Sequence, residues 1–330
     1  MKTKINDNRI AFQNLIYYAT KAPSTHNTQP WKFRVDEEGI LILPDLSHAL
    51  SKIDASHREL YISLGCALQN LLIAAREFNF KPSFEFITTY TNTINIKIRL
   101  EREGRDTSAT LFQFIDERQT NRTIYNGTKI HPIIIDKLVN IKKEEGTHIY
   151  SFEKESESFK KLTDLIIEAN SILMNDDEYK EEVVDWIRFN MKDALETKDG
   201  LNYETVGTIP VPKVLGKTIA KYIMNEKRQN KYDLKKIDSS SHMVLFTADE
   251  NNEKAWIKLG MTLQRFLLHT TKKGIAVAFI NPPCEVHEMA EKMKNTLPIG
   301  NQYPNILVRI GYAESAPYSK RKDIKNVIIP

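Results

Sequence analysis

Two cysteines, Cys66 and Cys284, are all that a chain of 330 residues contains, and neither sits in a C-x-x-C pair. That argues against a disulfide framework and against a cysteine-based zinc site. No run of about 18 apolar residues is present, so no segment is expected to span a membrane. The first residues, MKTKINDNR, lack the apolar stretch of a secretory signal. The expectation is a cytoplasmic protein. A strong charge imbalance is also missing: the formal net charge is +4. A nucleic-acid partner, which needs a dense basic face, is not expected. G-x-G-x-x-G after a strand, a P-loop, G-x-S-x-G and H-E-x-x-H are all absent. Asp176, Asp177, Glu178, Glu181 and Glu182 have no histidine or cysteine beside them. They read as a solvated helix face, and no metal site is expected.

What remains is an ordinary globular composition with clear periodicity. Apolar residues at helical spacing predict helices over 8–21, 58–78, 111–118, 133–143, 159–175 and 255–272. The long helix 58–78 is apolar on more than one side and is expected to be buried. Strands are predicted at 31–35, 40–43, 83–88, 94–100, 148–152, 243–247, 275–280 and 306–310, the last two in a βαβ-like ending. The segment 186–236 is charged and broken by Gly200, Gly207, Pro210, Pro212 and Gly216. It reads as a lid or insertion rather than core. One internal repeat stands out. Leu64, Gly65, Leu68, Gln69 and Leu72 recur in register as Leu259, Gly260, Leu263, Gln264 and Leu267.

Three polar segments can carry chemistry. Pro23-Ser24-Thr25-His26-Asn27-Thr28-Gln29-Pro30-Trp31 packs hydroxyls, amides and backbone N–H groups between two prolines. It suits a polar ring system, or is simply a helix end and turn leading Trp31 into the core. His26, alone in its loop, is not read as a general base. Arg118-Gln119-Thr120-Asn121-Arg122 either grips a phosphate or is a solvated basic helix end. Tyr318-Ser319-Lys320-Arg321-Lys322 is a solvated tail, or completes the same phosphate cage.

At these residues the sequence resembles the nitroreductase superfamily. The 23–31 loop looks like that family's P-S-x-x-N-x-Q-P-W signature. Residues 118–122 are similar to its R-R-S-x-R phosphate motif, with Gln119 and Thr120 as departures. Gly274 to Ile280 resembles the segment passing the flavin ring, and Gly311-Tyr312 with Lys320-Arg321 the closing G-Y…K-R signature. The loop precedes the arginine motif here, the reverse of the usual order. That order resembles the fused, Acg-like members, in which one chain mimics the usual homodimer.

The resemblance implies an α+β, nitroreductase-like fold: two diverged copies in one chain form an intramolecular pseudo-dimer with mixed or antiparallel sheets flanked by helices. The first copy spans 1–108 and the second 109–330, with the lid-like insertion at about 186–236. It implies one FMN per chain, bound by Pro23, Ser24, Thr25, Asn27 and Gln29 from the first copy. Arg118, Thr120, Arg122, Ala278, Phe279, Ile280, Lys320 and Arg321 would come from the second. A backbone N–H within 279–281 would face the flavin N5, and no catalytic side chain is named. The implied activity is ping-pong, NAD(P)H-dependent two-electron reduction of a small-molecule electron acceptor such as a nitroaromatic or quinone. The alternative is an FMN-sequestering protein closed by the 186–236 segment, with Tyr203 or Tyr222 near the ring. A monomer acting as a pseudo-dimer is expected, with further oligomerisation left open.

Overall fold

The computed structural model describes residues 2–103 and 111–330, with residues 2–9 as backbone only. The boundary expected between 108 and 109 lies outside the described residues. The helix α1 (Lys2–Ala19) buries Phe12, Leu15, Ile16 and Ala19, an i, i+3, i+4, i+7 stripe. Past the polar loop, β1 (Trp31–Val35) and β2 (Gly39–Pro44) form a hairpin. The Asp36 carboxylate closes its turn by accepting from the N–H groups of Glu38 and Gly39, at 2.9 and 2.8 Å. The helix α2 (Arg58–Glu77) is buried without a break from Glu59 to Ala75, as its apolar faces predict. Then β3 (Phe80–Thr88) and β4 (Ile94–Arg102) make a second hairpin. In β4 the alternation Ile94, Ile96, Ile98, Leu100 faces the core.

The second half opens with α3 (Pro132–Val139), β5 (Thr147–Glu153), α4 (Glu157–Met174) and α5 (Asp177–Asp185). The short β6 (Ile187–Arg188) and β7 (Leu201–Asn202) pair in parallel around α6 (Met191–Thr197). Next come α7 (Tyr203–Val206), α8 (Lys213–Ile223) and α9 (Glu226–Asp238). The chain then runs through β8 (His242–Ala248), α10 (Glu253–Lys272), β9 (Ala276–Phe279), α11 (Pro282–Glu285), α12 (His287–Thr296), β10 (Tyr303–Gly311) and β11 (Ile328–Ile329). The architecture is α+β. One sheet has the order β11-β1-β2-β4-β3 and the other β5-β8-β10-β9. The second sheet is antiparallel throughout, while the first is mixed, because β11 lies parallel to β1.

The two halves meet where α2 crosses α10. A Cβ on Gly65 would stand 2.0 Å from the Ile257 carbonyl oxygen, and one on Gly260 would stand 2.0 Å from that of Ile62. Only glycine permits this backbone approach. Beside it the buried Gln264 donates to Asn70 at 2.7 Å.

Two expectations need correction. Residues 111–118 form only one 3-10 turn, Phe112–Phe114. Phe112 sits edge-on to Tyr18 and Phe78, which holds the segment as a short anchor. The ending is not a βαβ unit, since β9 and β10 are antiparallel neighbours. The 186–236 segment is largely regular. Gly200 and Gly207 take positive φ at element junctions, Pro212 caps α8, and Gly216 lets α8 lie on the Phe189 ring.

Candidate functional site

The loop after α1 is wound tightly. His26, Asn27 and Gln29 all have positive φ, at 47°, 57° and 53°. Non-glycine residues take that region at a cost, and tertiary contacts must hold them there. The contacts are present. Ser24 Oγ accepts from the Gln29 N–H at 2.9 Å, which leaves the hydroxyl hydrogen free to donate outward. Asn27 Nδ2 donates to the carbonyls of Gly200 and Lys320, at 3.1 and 3.0 Å, and its Oδ1 accepts from Arg321. Gln29 Nε2 donates to the Lys198 carbonyl at 2.8 Å, and its Oε1 accepts from the Lys322 N–H at 2.9 Å. Thr25 Oγ1 donates to Glu59 Oε2 at 2.6 Å. The loop is therefore pinned to the connection between α6 and β7, to α2 and to the C-terminal tail.

Two adjoining cavities open beside it, an inner one of about 260 Å³ and an outer one of about 270 Å³. Pro23, Ser24, Thr120 and Arg122 line both. Arg118 and Arg321 point into the outer chamber. Arg118 is 6% exposed. Its Nη2 donates to the Lys21 carbonyl at 3.1 Å, whereas Nε and Nη1 have no partner. Arg122 has no hydrogen bond or ion pair among the described residues. Arg321 donates to Asn27 and to the Ala22 carbonyl. The one carboxylate at the rim, Asp116, pairs with Lys21 at 3.4 Å. Burial lowers the pKa of Arg118 and of Arg122 to about 10. Burial and the two neighbouring guanidinium groups bring Arg321 to about 9. Three guanidinium groups without a carboxylate among them, one with orphaned buried N–H groups, fit a phosphate ester.

The inner chamber lies along β9. Ala278, Phe279 and Ile280 line it. The Ile280 N–H is spent on the Leu307 carbonyl at 2.9 Å. Because N–H directions alternate along an antiparallel strand, the Phe279 N–H points to the open edge. On that edge the Val277 carbonyl accepts from Asn121 N–H at 2.8 Å. Ile280 is thus no free backbone donor. Two further expected site residues line neither chamber: the Gln29 amide is consumed by Lys198 and Lys322, and Lys320 contributes its carbonyl to Asn27. Tyr203 and Tyr222 also line neither, and Tyr222 is exposed.

Sequence reasoning missed the charge on the inner walls. On one side stand Glu59 and Glu285, with the buried Asp54 behind them and Tyr179 alongside. Burial and then Glu59 push the Glu285 carboxyl up to about 8, and the same two causes push Asp54 up to about 7. Elsewhere on the lining stand Arg309 and Lys236. Burial brings Lys236 down to about 8. Burial also takes His26 down to about 4 and Cys66 up to about 12, so the first is a neutral imidazole and the second an inert thiol near neutral pH. Leu201, Gln229, Asp233 and Lys236 bring the 186–236 segment to the inner chamber. The signal that could have found Glu59 is a lone carboxylate at the mouth of the apolar run of α2.

Among the described residues no helix is long and apolar enough to cross a membrane, and no group of acidic, histidine or cysteine side chains is placed to hold a metal ion. No protein-family model matches the chain. A Mycobacterium tuberculosis protein named "Putative NAD(P)H nitroreductase acg" is 23% identical over 343 residues, covering 96% of this chain and 94% of the relative. A second protein of that organism, also named a putative NAD(P)H nitroreductase, is 19% identical over 326 residues, covering 96% of this chain and 90% of the relative. Among solved structures, the FMN-dependent nitroreductase NfnB from Mycobacterium smegmatis, in complex with NADPH, is 13% identical. It matches 63% of this chain and 90% of that one at a TM-score of 0.41. A nitroreductase-like family protein from Bacillus cereus is 12% identical, over 68% and 96% of the two chains, at a TM-score of 0.40. Over nearly its whole length, the chain is similar to curated relatives of the nitroreductase superfamily, Acg-like proteins among them.

Proposed function

We propose that the chain binds one FMN across the two chambers and uses NAD(P)H to reduce a small nitroaromatic, quinone or related acceptor. The observation that carries this reading is the joined pair of cavities with opposite demands. The outer one holds three unneutralised guanidinium groups, and the inner one has an open strand edge and walls that mix apolar with charged side chains. Arg118, Arg122 and Arg321, with the hydroxyls of Ser24 and Thr120, would hold the phosphate. Pro23, Thr25, Ala278 and the Phe279 N–H would face the ring. Asn27, Gln29 and Lys320 would support the site by fixing the loop and the tail.

Flavin, when bound, supplies two-electron chemistry, and the protein tunes it. Arg122, shared by both chambers, would place positive charge beside the ring's electron-rich end. The neutral His26 adds no charge there.

The same reading makes the chain a fused pair, with diverged copies at 1–108 and 109–330. The repeated Leu-Gly…Leu-Gln motif and the reciprocal glycine approach of α2 and α10 support it. The loop 23–25 and the cluster 118–122 would then come from different copies. FMN would staple the copies together, stabilising the folded state by mass action.

The test is the purified protein itself. It should be yellow, release FMN rather than FAD on heating at about one per chain, and bleach anaerobically with NADPH. Replacing both Arg118 and Arg122 by alanine should weaken FMN binding by about 3–6 kcal/mol and riboflavin binding far less. Equal losses for the two ligands would remove these arginines from the phosphate site. A yellow protein that stays oxidised would favour sequestration, a second reading that the 186–236 side chains at the inner chamber support.

A further inference from the structure

Reduction of a quinone or nitro group takes up two electrons and two protons. Hydride delivery accounts for both electrons and one proton. The second proton needs a donor. Among the side chains that line the inner chamber, two carboxyls stand out, Glu59 and Glu285, and the structure treats them differently. Glu59 accepts from Thr25 at 2.6 Å, from Asn281, and from Arg58 at 3.5 Å. Three donors, one of them cationic, converge on Glu59. Glu285 has two neutral donors instead and no ion pair among the described residues. It ends the single turn α11, beside the Tyr179 hydroxyl and the Asn281 amide. Arg58, the one cation at this wall among the described residues, directs its Nη1 to the Cys284 carbonyl at 2.6 Å. A buried carboxyl facing a carboxylate keeps its proton.

We propose that Glu285 is the acid that protonates the acceptor during its reduction in the inner chamber, with Glu59 as the positioning residue that keeps Glu285 protonated. The assignment rests on the proposed flavin reading. Hydride originating from NAD(P)H supplies two electrons and one proton. The Glu285 O–H bond breaks, its proton joins an acceptor oxygen, and the carboxylate left behind is reprotonated from solvent. A quinone becomes a hydroquinone; a nitro group loses one oxygen as water and becomes a nitroso group.

The groups facing Glu285 set the pH range. Asp54, Arg58 and Glu59 come from α2 and its lead-in, Tyr179 from α5, and Cys284 from its own turn. Asp233 and Lys236 of α9 share the lining. With the Glu285 carboxyl raised to about 8, the acid is present at neutral pH and is lost above about pH 8.

The experiment uses FMN-loaded protein, reduced anaerobically and mixed with 1,4-benzoquinone over a range of pH. Wild-type reoxidation should fall above about pH 8. In E285Q it should be slower by about 100-fold or more, without that fall. In Y179F, which removes a donor to the carboxylate form, the fall should move to higher pH. Infrared spectra near neutral pH should show a protonated-carboxyl carbonyl band that E285Q lacks, a readout independent of turnover. Wild-type rates and pH profile in E285Q, or an unchanged band, overturn the assignment. If NADPH fails to reduce the flavin but dithionite-reduced protein still reoxidises in a Glu285-dependent way, the acid stands and the donor in the proposed function falls.

Discussion

A carboxyl that holds its proton near neutrality changes how the folded chain responds to pH. In the unfolded chain Glu285 ionises near 4.5, and in the folded one near 8. Between those values the folded state binds the proton and the unfolded state does not. Glu285 therefore favours folding at low pH and progressively disfavours it as pH rises, with no further change above about 8. Denaturant unfolding of wild type and E285Q should give similar stability near pH 5, and the glutamine variant should gain steadily to about pH 8. A flat difference would show that the Glu285 carboxyl ionises alike in both states. This wall was not legible in the sequence. Glu59 and Glu285 are 226 positions apart in numbering, and each looks like an ordinary surface charge at a helix end. The polar loop 23–31 was legible because its chemistry is contiguous. Even there, spacing alone did not separate Ser24, which faces the chambers, from Gln29, whose amide is turned to the tail.

Among the elements, α2 and α10 were the most readable, since each carries its pattern over 20 residues. Their reciprocal glycines make a sharp demand. A methyl group on Gly260 would meet the Ile62 carbonyl oxygen at 2.0 Å, and one on Gly65 that of Ile257 at the same distance. Backbone cannot yield as a flexible side chain can. Gly260→Ala or Gly65→Ala should each cost at least about 3 kcal/mol in urea unfolding. The double variant should cost less than the sum, because one helix separation relieves both clashes. The elements that were misread are those whose shape is set from outside. Residues 111–118 have helical spacing, but two aromatic contacts hold them as a single turn. In 186–236 the glycines and prolines read as breaks; Gly200, Gly207 and Pro212 mark joints of short elements, Gly216 sits inside α8, and Phe189 and Ala220 pack with Val184 of α5 in a small core.

For the whole molecule, the tail after β10 joins the halves. It leaves the second sheet and is held by Asn27, Gln29 and Lys198. It ends as β11 alongside β1 of the first sheet. Ending the chain after Tyr318 should remove Arg321 from the outer chamber and β11 from the first sheet. FMN affinity is expected to fall by about 1.5–3 kcal/mol for the lost guanidinium contact, measured by flavin fluorescence on titration. Retained affinity would place Arg321 outside the cage.

Asn27 and Arg321 touch across 294 positions of sequence. A ribosome delivers them far apart in time, and contacts of such long range form late in folding. The outer chamber is not complete until synthesis has passed residue 321. A growing chain short of Arg321 should therefore hold flavin weakly, and tight cofactor capture follows the joining of the two halves.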